Sequence, residues 1–182
     1  MKLKSNLLAV ALLFFASISC KTAQTNMIVA DSYDQNKKQT TLILFPYGNM
    51  VLPDKWTKIS FNQVSRQHFF KNADSTTVGV AKNPKSKYPF YAANQTEEEF
   101  TTAFVKWDAN YWAKKGLKTE IINDQSNNGF IIWRVSDANK KEVNNIFLFG
   151  SKNGLAYNLS GTSKVWTDEK IQTFLIKIFS DN

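Results

Sequence analysis

Between Asn94 and Gly116 the hydrophobic pattern of this chain changes period, and that change restricts the folds open to it. In "NQTEEEFTTAFVKWDANYWAKKG", Phe100, Ala103, Phe104, Trp107 and Tyr111 recur at the spacing of one helix face. Thr96 and Glu99 stand at capping-box spacing, three acids fill the first turn, and Lys114, Lys115 and Gly116 close the last one. This predicts a helix over about 96–115. On both sides the period is strand-like. Before it come "TTLILFPYG", "MVLPDKWTKISFN" and "RQHFFKNADSTTVGVAK", the last reading as two strands joined at "NADS". After it come "LKTEII", "GFIIWRVS", "VNNIFLFG" and "GLAYNLSG", with turns between them short enough for antiparallel neighbours. A second helix is predicted over 167–179, with Thr167 as N-cap and Ile171, Phe174, Leu175 and Ile178 as its buried stripe. About four strands, a helix, about four strands and a helix predict an α+β domain: an antiparallel sheet of about six to eight strands carrying two helices.

The amino terminus carries a different message. In "MKLKSNLLAVALLFFASISCKTAQ", Lys2 and Lys4 precede an uncharged run from Leu7 to Ile18. As a helix that run is about 18 Å long, short of the ~30 Å hydrocarbon core, so it fits a secretory signal and not a membrane span. The run ends at Cys20, the only cysteine, which therefore has no internal disulfide partner. Ser17-Ile18-Ser19-Cys20 resembles the bacterial lipoprotein signal, with Ser17 where leucine is usual. The resemblance implies cleavage before Cys20, a diacylglycerol on its thiol, and a membrane partner held through that lipid. Lys21 stands where an aspartate often retains such proteins at the inner membrane, which favours the outer membrane, facing the periplasm or the cell surface. An ordinary cut after Ser19 is the alternative, leaving a secreted binding protein without lipid. Residues 1–19 then form the signal, 20–40 a lipidated start and flexible linker, and 41–182 one domain. A flexible linker of ~20 residues reaches roughly 25 Å; within it "MIVA" either pairs as an edge strand or stays loose.

Removing 19 of 182 residues leaves 163, enough for one domain that packs without disulfides. With 14 Phe, 5 Trp and 6 Tyr, the chain has large side chains to bury. Loss of Lys2 and Lys4 takes 23 basic residues to 21, against 15 acidic ones, for a net charge of +6. The lysines are scattered and the only arginines are Arg66 and Arg134, which argues against a nucleic-acid partner.

Catalytic signals are sparse. His68 is the only histidine; Ser65 and Asp74 are near it in sequence, but nothing gives the three triad geometry. No metal site and no cofactor is expected. The acids of "TEEEF" are explained by the helix dipole, and neither "SKNG" nor "KNADS" has the glycine spacing of a phosphate loop. The remaining candidate is "NPKSKYPFYAAN", a proline-flanked loop whose Tyr88, Phe90 and Tyr91 form either a recognition surface or a cover for the sheet edge.

Three stretches, "VLPDKW", "HFFKNADSTTVGVAK" and the closing strand–turn–strand–helix from Ile146 to Phe179, resemble the Mog1/PsbP-like sandwich over most of residues 42–180. The resemblance implies a curved antiparallel sheet with helices on its faces and a binding or assembly role, and it carries over no catalytic residue. The expectation is a membrane-anchored envelope lipoprotein that binds an envelope protein or a small ligand. The rival is an envelope enzyme using His68 or carboxylates.

Overall fold

The computed structural model describes residues 28–140 and 143–182, so Cys20 and the signal lie outside the described residues. Strands β1 (Ile28–Asp34), β2 (Gln39–Phe45) and β3 (Asn49–Pro53) form a three-stranded sheet in that order. Strands β4 (Thr57–Phe61), β5 (His68–Lys71), β6 (Thr77–Pro84), β7 (Lys118–Gln125), β8 (Phe130–Ser136), β9 (Asn144–Lys152) and β10 (Leu155–Thr162) form the main sheet, in the order β4-β5-β6-β10-β9-β8-β7. Every neighbouring pair is antiparallel. Helix α1 (Glu97–Ala113) follows β6, and helix α2 (Asp168–Asp181) ends the chain. The domain is α+β with seven strands in its main sheet, as the pattern predicts.

Two corrections concern the first half. The linker expected over 20–40 does not extend to 40: residues 28–34 are β1, paired along their whole length with β2. Polar "DSYD" conceals the strand because β1 lies at a sheet edge and much of it faces solvent. The first half therefore holds six strands where about four were expected, and three of them form a separate sheet.

The main sheet is buried on both faces at its centre, which is why "IFLF" is continuously apolar. On β9, Ile146 and Leu148 join one core with the three-stranded sheet and α2, while Phe147 and Phe149 join a second core under α1. Strand period 2 divides the two sets. The first core receives Leu42, Leu44, Met50 and Leu52 from the small sheet and Ile171, Leu175 and Ile178 from α2. Helix α2 lies close on the sheet: a Cβ on Gly161 would stand 2.6 Å from Ile171, and one on Gly150 would stand 2.7 Å from the Phe179 ring.

Helix α1 starts with the expected capping box: Glu99 N–H donates to Thr96 Oγ1 (3.1 Å) and Thr96 N–H donates to Glu99 Oε2 (2.9 Å). Gly116, at φ +80°, ends it, with Leu117 N–H donating back to the Trp112 carbonyl (3.2 Å). Its buried stripe is rotated from the expected one. Phe100, Thr101, Phe104 and Val105 are buried, whereas Trp107 and Tyr111 are 46% and 50% exposed. The cause is the partner surface: Trp112 reaches Phe147 (6.4 Å), and Trp107 turns instead to Phe90 (5.6 Å).

Candidate functional site

A spacious cleft opens where the start of α2, the β5–β6 turn and the far end of the small sheet converge. It encloses about 810 Å³ and is lined by aromatic, cationic and acidic side chains. Trp166 is one of the side chains that line it, and local chemistry fixes its position. Ser163 Oγ accepts from the Trp166 backbone N–H (2.9 Å) and shares a hydrogen bond with Thr76 Oγ1 (2.7 Å), tying the approach to α2 to the β5–β6 turn. Thr167 then caps the helix by accepting from Lys170 N–H (3.3 Å). Asp168 is held by Arg134 of β8 and by Asn144 of β9. The Trp166 indole N–H donates to Asp74 Oδ2 (2.9 Å), and its ring meets Trp56 (5.9 Å) and Phe174 (5.3 Å) edge to face.

Trp56 is fixed as firmly. Its backbone N–H donates to Thr40 Oγ1 (2.9 Å) and its indole N–H to the Pro53 carbonyl (2.7 Å). The rim carries Lys170 over the Trp166 ring (4.2 Å) and Lys55 near the Tyr33 ring (5.7 Å), facing Asp54 and Glu169. Bonds to backbone N–H and to Thr167 at the helix start hold the Glu169 carboxyl below the usual carboxylate range. Tyr33 also borders a second cleft of about 620 Å³ between β1 and β4, so the concave surface continues past it along two strand edges.

Beneath that second cleft lies His68. The residue is 4% exposed, and its ring packs on Phe61 (4.5 Å), near the Lys58–Asp31 ion pair (3.8 Å). Nδ1 is buried without a hydrogen-bond partner among the described residues. Burial, aided by Lys58 and opposed by Asp31, lowers its pKa to about 4. The structure does not bring Ser65 and Asp74 to His68 as a triad: Ser65 sits in a turn closed on Asn62 Oδ1 (3.1 Å), and Asp74 serves Trp166. Among the described residues, no group of three or more His, Cys, Asp and Glu could hold a metal ion.

The aromatic loop divides. Tyr88 packs on Phe104 (4.6 Å) and Phe90 on Phe100 (5.2 Å), so both close one end of the α1 core, and burial pushes the Tyr88 hydroxyl up to about 12. Tyr91 is 38% exposed. Near them a polar tract that the sequence does not announce crosses the sheet: Gln67 Nε2 donates to Asn158 Oδ1 (2.9 Å) and Ser160 Oγ (3.0 Å). Reading along the chain also misses the Trp166 cleft, whose one local signal is an aromatic residue just before the N-cap Thr167.

No family model matches this chain, and no curated protein matches it. Among solved structures it is similar to cyanobacterial PsbP (CyanoP) from Synechocystis sp. PCC 6803, at 14% identity and a TM-score of 0.44, covering 89% of this chain and 95% of that one.

Proposed function

We propose that this protein is a non-catalytic binding component of the bacterial envelope, anchored through lipid on Cys20, and that the Trp166 cleft receives a segment of a partner protein. The observation that carries the reading is the cleft's composition. Fixed aromatic rings line it, and Lys55, Lys170, Asp54 and Glu169 supply both charge signs on its rim. Tryptophan and tyrosine dominate binding energy where two proteins meet, and mixed charge suits a polypeptide better than a phosphate-rich ligand. An enzymatic role for His68 fits less well, because a base with a pKa near 4, buried against Phe61, is largely mismatched to chemistry at neutral pH.

The test places a photo-reactive residue at Thr173, inside the cleft, in the full chain expressed in cells. A discrete adduct that is lost in the Tyr33→Ala, Lys170→Glu double variant supports the reading. Adducts unchanged by those substitutions, or no adduct at all, reject the cleft as the binding site. His68→Ala leaves the adduct intact in this account.

A further inference from the structure

Strand β1 changes the length of the tether. Only residues 21–27 separate Cys20 from its first residue. Eight steps of chain extend to about 28 Å at most. The start of β1 therefore stays close to whatever holds Cys20.

Apart from Asn49, which is paired with Ile43, the outward side chains at that end are apolar. Phe45 is paired with Ile28, Ile43 with Ala30, and Thr41 with Val51. Directly paired residues share a sheet face, and Leu42 and Leu44 occupy the core, so Ala30, Ile43, Phe45 and Val51 belong to the outward face. Phe45 is 57% exposed and Ile43 37% exposed. On this outward face charge begins only at the other end, with Asp34 and then Lys37 and Lys38 in the turn; Asp31, paired with Leu42, belongs to the opposite face.

We propose that the outward face of the β1–β2–β3 sheet docks on the membrane surface, with Phe45 and Ile43 at the boundary between headgroups and acyl chains. The short tether brings this face to the bilayer, and an apolar patch supplies the second signal that turns a lipid anchor into a fixed orientation. Seven residues of β1 span about 20 Å, so the Trp166 cleft, beside Tyr33 and Asp54, stands at the far end of the strands from Phe45 and is not covered by the docked patch. The inference rests on Cys20 being acylated.

Acylation also provides the test. With the only native thiol blocked by lipid, Phe45→Cys and Tyr111→Cys each leave one site for a nitroxide label; Tyr111 lies on α1, across the main sheet. The full chain is reconstituted in vesicles of phosphatidylethanolamine and phosphatidylglycerol, and each label's accessibility to oxygen and to a water-soluble nickel complex is compared. The label at 45 is expected to favour oxygen severalfold relative to the label at 111, and Ile43→Cys is expected to reproduce this. Equal, nickel-accessible labels on a chain that sediments with the vesicles overturn the docking while leaving the anchor standing. A chain that takes no lipid and stays in solution overturns both.

Discussion

His68 and Asp108 show how single buried groups shape the behaviour of this domain, and they act in opposite directions. The His68 pKa is lowered from 6.5 to about 4, so the unfolded chain binds a proton that the folded chain refuses as pH falls through that interval. Stability from this group is full above pH 6.5 and is lost progressively towards pH 4. Asp108, accepting from the Trp112 indole N–H (3.1 Å), has its pKa raised to about 6 by burial. Its folded form holds a proton longer than the unfolded one, so its contribution grows as pH falls from about 6 and weakens at neutral pH. Urea unfolding at pH 7.5, 6 and 4.5 checks both. Replacement of His68 by Gln removes the acid-side loss, and Asp108→Asn raises stability most at pH 7.5. A wild-type profile unchanged by either substitution contradicts both assignments.

At the scale of elements, the rotated face of α1 gives the clearest prediction. Phe104 is 1% exposed and stacks on Phe149 (4.1 Å), so Phe104→Ala is expected to cost about 3–5 kcal/mol in a urea titration. Trp107→Ser and Tyr111→Ser, at half-exposed positions, are each expected to cost less, about 1 kcal/mol. The reverse order would restore the stripe that the spacing alone suggests. That spacing fails for a physical reason: a helix with aromatic residues on two adjacent faces leaves the choice to its tertiary partner, here the Phe147 and Phe149 face of β9. The capping box was legible because its residues are three positions apart, and both strands of the "NADS" hairpin were legible for the same local reason. The cleft was not. Tyr33 comes from β1 and Asp54, Asp74 and Trp166 from three separate connections, and only the two-sheet architecture brings them together. β1 was legible only in part: "MIVA" offered an edge strand, and Ile28–Ala30 do pair with β2, but the polar continuation Asp31–Asp34 lacks the apolar alternation that marks a half-buried strand.

For the whole molecule, the two sheets give the domain two distinct ends. One end, at Ile28 and Phe45, is where the proposed tether would join; the other, at Tyr33 and Trp166, carries the cleft, with Lys55 and Lys170 on its rim. Among the described residues no helix is long and apolar enough to cross a membrane. In this account, attachment depends on Cys20. The most direct measurement is palmitate labelling of the expressed full chain beside Cys20→Ser, followed by membrane fractionation of both. The account predicts that the wild type alone carries label and sediments with membrane. An unlabelled wild type that remains soluble, like the variant, would contradict it.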